Sequence, residues 1–273
     1  MKRVLAFDFG ASSGRAILAE YDGGALTYKE VHRFENCPRE SEGNFRWDLS
    51  DLMANVRLGI EKAGAFDSVA FDTWGVDFGL LDENGELLGD PVHYRDGRTE
   101  GLTDKAFRTM DAGAFYAATG SQIMSINTLF QLLAVKESDP ETWSRAKRLL
   151  FMPDLFAHAL CGANACETTI ASTSQMLDAR TGAWSREVLD AFGIPETLFA
   201  PLVKSGTVVG EYRGARGRST RTPSSNSWRS RPSRCAASST PMRPSSRGRA
   251  TSPAACASSA AAPGSPCLRP SAR

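Results

Sequence analysis

The last 61 residues of this 273-residue chain lack several residue types that a folded domain needs. Residues 213–273 contain no Asp, Glu, Lys, Ile, Val, Phe or Tyr, and Leu268 is their single leucine. So little apolar area cannot offset the entropy lost when a chain is ordered. We therefore expect residues 1–212 to form one folded domain and residues 213–273 to be a disordered tail.

Charge is divided just as unevenly between these two parts. The first 212 residues carry 20 Lys and Arg against 31 Asp and Glu, whereas the tail carries twelve Arg and no acid. Ser, Arg, Ala and Pro make up 46 of the 61 tail residues, a composition typical of GC-rich DNA read in a wrong frame. We interpret the tail as the product of a frameshift near codon 213. The alternative is a natural basic arm that binds nucleic acid or another acidic surface.

Other absences limit the class of protein. The chain has no C-x-x-C pair, no Cys/His spacing typical of zinc ligands, and no apolar run near the ~18–20 residues of a membrane span. Residues 1–3 lead straight into a predicted strand, without the pattern of a signal peptide. We expect a monomeric cytoplasmic protein with no membrane partner and no specific nucleic-acid partner.

The first 212 residues have the pattern of an α/β domain. Three strands, Val4–Phe9, Arg15–Tyr21 and Leu26–Phe34, are separated by glycine-containing turns and predict an antiparallel meander. A helix capped by Asp48 or Ser50 and a fourth strand at Ser68–Thr73 follow, which gives a β-β-β-α-β order. Further helices are predicted at 128–136, 140–147, 153–160 and 185–192, and a short strand at 149–152.

The segment Asp8–Arg15, DFGASSGR, carries the strongest chemical signal. A carboxylate at the end of a buried strand is costly unless it is paired or metal-bound. The small residues after it allow backbone N–H groups to approach a polyphosphate, and Ser12, Ser13 and Arg15 add hydroxyls and a cation. These are the groups that phosphoryl transfer needs. The alternative is a structural hairpin, with Asp8 as a turn cap and glycines that supply unusual φ angles.

Two further segments mix polar and aromatic residues. In Phe71–Phe78, an indole is flanked by carboxylates and a glycine, which suits a sugar because its apolar C–H face stacks on an aromatic ring while its hydroxyls form hydrogen bonds. The alternative is a core Trp74 with Asp72 as a turn cap. In His93–Arg98, acid, base and aromatic groups alternate, and a surface loop of salt bridges explains them nearly as well.

Together the segments DFGASSGR, DTWGVDFGLLD and YRDGR resemble the FGGY carbohydrate kinase family, over nearly all of residues 1–212. The resemblance implies two actin-like (ribonuclease H-like) domains with a cleft between them, of which residues 1–212 are the first. It also implies ATP-dependent phosphorylation of a sugar. The segment DTWGVDF indicates the branch of the family that acts on L-rhamnulose.

The resemblance also implies roles for individual residues. The residues expected to face the ATP phosphates are Ala11, Ser12, Ser13, Gly14 and Arg15. Asp8 is expected to hold Mg²⁺, and the Gly75 backbone to contact the ketose. The residues expected to lie around the sugar are Trp74, Asp77, Tyr94 and Arg95.

The sequence departs from the family in one respect that affects catalysis. The family's catalytic base is an aspartate near the start of the second domain, and it would remove a proton from the sugar 1-hydroxyl. No acidic residue follows Glu211, so no catalytic residue is assigned. We expect the chain to be inactive or impaired as a kinase.

Two other classes of protein remain open from the residues. A ribonuclease H-like nuclease begins with the same meander and could use Asp8 and Asp72 for two metals, with Asp77 as a third carboxylate. A non-enzymatic module could hold a sugar with residues 1–212 and attach to nucleic acid through the tail.

Overall fold

The computed structural model describes residues 1–213 and 233–236, all within one compact unit. Their strands are β1 Lys2–Phe9, β2 Ser13–Tyr21, β3 Leu26–Glu35, β4 Arg39–Ser41, β5 Asn44–Arg46, β6 Ser68–Asp72, β7 Phe78–Leu81, β8 Arg148–Phe151, β9 Cys166–Glu167, β10 Leu202–Val203, β11 Val208–Tyr212 and β12 Ser233–Ala236. Their α-helices are α1 Leu49–Ala63, α2 Leu102–Ala106, α3 Ala112–Thr119, α4 Thr128–Ser138, α5 Pro140–Arg145, α6 Met152–Cys161, α7 Thr168–Ala171 and α8 Arg186–Phe192.

Six strands form one sheet in the order β11-β12-β6-β1-β2-β3. β1, β2 and β3 are successive antiparallel neighbours, β6 runs parallel to β1, and β12 runs parallel to β6. The predicted meander, the helix after it and the fourth strand are therefore confirmed. β7 and β8 pair in a separate two-stranded ladder.

One face of the sheet carries an aromatic core. Phe7 and Phe9 of β1 point to the same side, as alternate residues of a strand must. Phe7 stacks on Phe71 of β6 (ring centroids 5.2 Å apart), and Phe9 stacks on Phe156 of α6 (4.5 Å). α1 packs on the same face, where a Cβ at Gly59 would lie 2.7 Å from Cε1 of Phe7. The residues between the core positions, including Asp8 of β1 and Asp72 at the end of β6, consequently face the opposite side.

The helix ends follow local capping rules. The Asp48 carboxylate accepts a hydrogen bond from the Asp51 amide (3.0 Å), so Asp48, and not Ser50, is the N-cap of α1. Asp139 caps α5 directly before Pro140, and glycines with left-handed φ end α6 and α8. The helices α4, α5, α6 and α8 each begin and end within two residues of the ranges predicted from the sequence. No helix in the described ranges is long and apolar enough to cross a membrane.

Strand β12 departs from the prediction of a disordered tail. Its four residues lie between β6 and β11, parallel to the former and antiparallel to the latter. A strand can join a sheet through backbone N–H and C=O groups alone, which every sequence offers except at proline, so side-chain composition did not reveal it. Residues 214–232 and 237–273 of the predicted tail lie outside the described residues, and for them disorder stays a prediction.

Candidate functional site

The turn between β1 and β2 is exposed at its tip and held in position from one side. The Gly10 amide donates to the Ser13 carbonyl (2.8 Å), which closes the turn around Ala11 and Ser12. Asn36, directly after β3, donates from its amide to the Ser12 carbonyl (3.0 Å) and from Nδ2 to the Gly10 carbonyl (2.9 Å). The hairpin is therefore fixed while its tip stays open to solvent.

Gly14 is required by packing. A Cβ at this position would lie 2.2 Å from Cζ of the buried Phe34 ring. Neither Gly10 nor Gly14 has a positive φ. The alternative explanation, in which these glycines supply unusual backbone angles, is therefore wrong. The small size of Gly14 lets the hairpin lie close against β3.

Two carboxylates lie side by side at the carboxyl ends of the parallel strands β1 and β6, Asp8 one residue before the end of β1 and Asp72 as the last residue of β6. Asp8 and Asp72 are paired in register. Arg15 donates to Oδ2 of Asp8 from Nε (2.8 Å) and Nη2 (2.6 Å), so Asp8 forms an ion pair and not a turn cap. Burial, and then the charge of Asp8, raises the pKa of Asp72. Asp8 and Asp72 together carry one negative charge more than Arg15 balances, and hard oxygen donors with such an excess fit Mg²⁺. The residue types thus suit the metal predicted at Asp8.

Asp77 is the centre of the second segment, and its side chain is 0% exposed. Its Oδ2 accepts hydrogen bonds from Nε1 of Trp47 (2.6 Å), Nε1 of Trp74 (2.9 Å) and the Tyr94 amide (3.2 Å). Its Oδ1 accepts from Nε2 of Gln131 (3.0 Å). Burial raises the pKa of Asp77 to about 6, although these hydrogen bonds lower it. Asp77 therefore supports the predicted sugar site from behind, because a ligand cannot reach its carboxylate.

The rings around Asp77 form one stack. Trp47 stacks on Trp74 (centroids 4.0 Å apart) and on His93 (4.2 Å), and His93 contacts Tyr94 (4.4 Å). Burial lowers the pKa of His93 to about 4, so its ring is neutral at pH 7. Trp47 is fully buried, Trp74 and Tyr94 are half-buried, and the exposed Arg95 guanidinium lies 5.4 Å from the Tyr94 ring centroid. The structure thus brings together Trp74, Tyr94 and Arg95.

The segment His93–Arg98 is not a loop of surface salt bridges. The Asp96 carboxylate accepts from the backbone amides of Phe45 (2.6 Å) and Arg98 (2.9 Å). The Arg98 guanidinium donates from Nη2 to Oε1 of Gln131 (2.8 Å), and burial lowers the pKa of Arg98 to about 10. Both charged side chains therefore connect the loop to its neighbours.

The chain makes a strained turn immediately before Asp77. Val76 has a φ of 67°, which is rare for a β-branched residue. Its amide donates to Oγ1 of Thr173 (3.0 Å), and its carbonyl accepts from Oγ1 of Thr128 (2.7 Å). A Cβ at Gly75 would lie 3.0 Å from Cγ2 of Thr173. Strain held by surrounding groups occurs often at functional sites.

Four residues that build these sites were not predicted from the sequence. They are Asn36, Trp47, Gln131 and Thr173. Each lies far along the chain from the group it holds, and none belongs to a local motif that would mark it. A polar side chain directly after a strand, as at Asn36, was the one available signal.

Asp77 is not available as the third carboxylate of a nuclease. Its oxygens are filled by donors from the protein, as described above. In the part of the chain that the structure describes, no group of three or more His, Cys, Asp or Glu has a geometry suited to a metal ion.

The fold is the actin-like α/β architecture of sugar kinases. The chain superimposes on xylulose kinase from Lactobacillus acidophilus with a TM-score of 0.67 and 19% identity, covering 78% of this chain and 44% of that one. For Plasmodium falciparum glycerol kinase with ADP the TM-score is 0.65, the identity 14% and the coverage 79% and 46%. At such identities the likeness shows the fold alone, and it confirms the predicted fold class.

Sequence comparison defines the family. The model of the FGGY family of carbohydrate kinases, N-terminal domain, matches residues 3–216. Rhamnulokinase from Yersinia pestis bv. Antiqua (strain Angola) is 40% identical over 220 residues, which cover 78% of this chain and 45% of that protein. Rhamnulokinase from Enterococcus faecalis is 39% identical over 219 residues, covering 78% and 44%. The chain belongs to the FGGY family of carbohydrate kinases and spans slightly less than half the length of these relatives.

Proposed function

We propose that residues 1–212 are the sugar-binding and phosphate-binding half of an ATP-dependent carbohydrate kinase. The observation that carries this proposal is the register of β1 and β6, which sets Asp8 beside Asp72. The phosphate hairpin follows Asp8, and the Trp74 segment follows Asp72. Phosphoryl transfer requires the terminal phosphate and the accepting hydroxyl to be held next to each other. Two binding surfaces at the ends of adjacent strands meet this requirement.

The sugar surface consists of Trp74, the Gly75 backbone, Tyr94 and Arg95. The Trp74 indole is fixed by its hydrogen bond to Asp77 and by stacking on Trp47. A fixed aromatic face binds the apolar C–H side of a sugar at little cost in side-chain entropy. The Arg95 guanidinium and the Gly75 backbone supply polar groups for the hydroxyls.

The phosphate surface is the hairpin from Ala11 to Arg15, with the hydroxyls of Ser12 and Ser13 and the guanidinium of Arg15. Asp8 would hold Mg²⁺, which when bound neutralises charge on the phosphate oxygens. The Asp8–Arg15 ion pair keeps both charges compensated before the nucleotide binds. Both groups are partly exposed, so each is accessible to a nucleotide and its cation.

The substrate we propose is L-rhamnulose, phosphorylated to L-rhamnulose 1-phosphate in rhamnose catabolism. Relatives at about 40% identity are named rhamnulokinase, and the DTWGVDF segment points the same way. In keeping with such a role we propose a monomeric, cytoplasmic protein.

The transfer step itself needs a base, and this sequence offers no carboxylate for that role after Glu211. No acidic residue follows Glu211, whereas the family resemblance implies an aspartate there. We therefore expect these 273 residues to bind sugar without transferring phosphate at a normal rate.

Calorimetric titration of the full chain with L-rhamnulose tests the binding half of the proposal. Trp74→Ala should weaken binding by about 5- to 30-fold, because a stacked aromatic contributes on the order of 1–2 kcal/mol. The matched control is Trp143→Ala, which removes an indole from α5. Binding that is unchanged by Trp74→Ala, or absent in a folded wild-type chain at millimolar sugar, would contradict the proposed sugar site.

A coupled assay of ADP release with L-rhamnulose tests the catalytic half separately. We expect turnover far below that of a sugar kinase of full length. Normal turnover would support the kinase assignment and overturn the expected impairment. Metal-dependent nicking of DNA in place of sugar binding would favour the nuclease.

A further inference from the structure

Two cysteines from distant parts of the chain meet at the edge of the sheet. Cys161 is the last residue of α6, and Cys235 lies in β12. The strand register pairs Cys235 with Gly210 of β11. A Cβ built on Gly210 would lie 2.5 Å from Sγ of Cys161, so the Cys161 thiol lies directly over that residue. The end of α6 therefore places the Cys161 thiol next to the β11–β12 strand pair, which contains Cys235.

The two thiols interact with each other. A hydrogen bond from the Cys235 thiol lowers the pKa of Cys161 and raises that of Cys235, as expected for groups that share a proton. Cys161 is partly exposed, whereas Cys235 is 1% exposed. One thiol is therefore accessible and readily ionised, and the other is buried beside it. An accessible thiolate with a neighbouring second thiol is the arrangement that oxidants convert to a disulfide.

Cys166 provides a contrast within the same region. It is also 1% exposed, and burial, followed by the charge of Asp154, raises its pKa. A protonated, enclosed thiol is a poor nucleophile. Oxidation should therefore discriminate between Cys161 and Cys166, although they are five residues apart in sequence.

We propose that Cys161 and Cys235 form a peroxide-sensitive thiol pair whose disulfide ties β12 to α6. The Cys161 thiolate attacks hydrogen peroxide, the O–O bond breaks, and hydroxide leaves as Cys161 becomes a sulfenic acid. The Cys235 sulfur then attacks the Cys161 sulfur, its proton and the departing hydroxyl leave as water, and the S–S bond forms. Two thiols are oxidised and one peroxide is reduced to two waters.

The disulfide would make the attachment of β12 covalent. In the reduced chain, β12 is held by backbone pairing with β6 and β11 and by the burial of Cys235. These contacts are few, because the strand has four residues. A covalent bond to α6 closes the chain between residues 161 and 235 and restricts the unfolded state.

Peptide mapping of the full chain tests the proposal. The chain is treated with hydrogen peroxide, remaining thiols are blocked with N-ethylmaleimide, and trypsin digestion is carried out without reductant. We expect a cross-linked product that joins peptide 149–180 to the peptide beginning at Cys235. The product should disappear on reduction. It should also decline sharply when the oxidation is done in urea, because the unfolded chain no longer holds the two thiols together.

Matched variants identify the sulfur atoms. Cys166→Ser leaves the other cysteine in peptide 149–180, so the cross-link should persist, whereas Cys161→Ser and Cys235→Ser should each abolish it. The oxidised wild-type chain should also unfold at a higher temperature than the reduced chain, and Cys235→Ser should lose this difference. The proposal is overturned if the folded wild-type chain yields Cys161 and Cys235 separately, alkylated or overoxidised, or if the cross-link survives in Cys161→Ser.

Discussion

Replacing the buried Asp77 with asparagine should change how stability depends on pH. In the folded protein burial raises the pKa of Asp77 to about 6, while in the unfolded chain the ordinary value is ~3.9. The folded state therefore holds a proton more tightly, and the free energy of unfolding should rise as pH falls from about 6 towards 4. The Asp77→Asn variant cannot take up this proton.

The magnitude follows from the two pKa values. Between about pH 7.5 and pH 4.5 the wild type should gain ~2 kcal/mol of unfolding free energy relative to Asp77→Asn. At the higher pH the Asp77→Asn variant keeps a side-chain oxygen that can accept from the donors that meet at Oδ2 of Asp77. Its amide nitrogen, however, faces Nε2 of Gln131, and because both groups are donors the hydrogen bond between these two side chains is lost. The lost hydrogen bond costs ~1–3 kcal/mol, which removal of a buried charge partly offsets.

Urea unfolding followed by tryptophan fluorescence measures this difference, because Trp47 and Trp74 both bond to Asp77. His93 changes the free energy of unfolding in the opposite direction. Burial lowers its pKa to about 4, so the stability that its neutral ring contributes is lost as pH falls below ~6.5. That contribution is common to both proteins and cancels in their difference. Asp104→Asn, the same change at an exposed site, is the control. Parallel pH profiles for wild type and Asp77→Asn would refute the reasoning.

Two further predictions concern packing and a second buried acid. Gly14→Ala should cost ~1–3 kcal/mol of unfolding free energy, because its Cβ would overlap the Phe34 ring. The control Gly24→Ala, where the atom nearest to the new Cβ is 3.9 Å away, should cost about a few tenths of a kcal/mol. Equal costs in thermal unfolding would contradict the packing argument. Burial raises the pKa of Asp154 to about 7, more than the hydrogen bond from the Glu167 amide lowers it. The Asp154→Asn variant should therefore have a higher free energy of unfolding than the wild type at about pH 8. It should lose ~2–3 kcal/mol of this difference by pH 5, because the wild type gains stability as Asp154 takes up a proton. Unfolding midpoints in urea at the two pH values measure this shift, and an unchanged gap would show that Asp154 does not titrate in this range.

The amino-acid sequence by itself determined the family and many of the local elements, although α2, α3, β4 and β5 were not predicted. Alternation in β1, the cap and closing glycine of α1, and the proline after Asp139 act within a few residues, so the pattern carries them directly. The motifs at Asp8 and Trp74 were equally readable, because the chemistry of each lies in one short segment.

The tertiary structure alone decided which of these residues are open to solvent and which are enclosed by the protein. Asp77 was expected to lie around the sugar, but donors from three distant segments enclose its carboxylate. Asn36 and Thr173 were unmarked, because each acts on backbone groups far away in sequence. β12 was also hidden, since it joins the sheet through hydrogen bonds that do not depend on side chains. Contacts between distant segments depend on how the whole chain packs, and a local pattern of residues does not encode them.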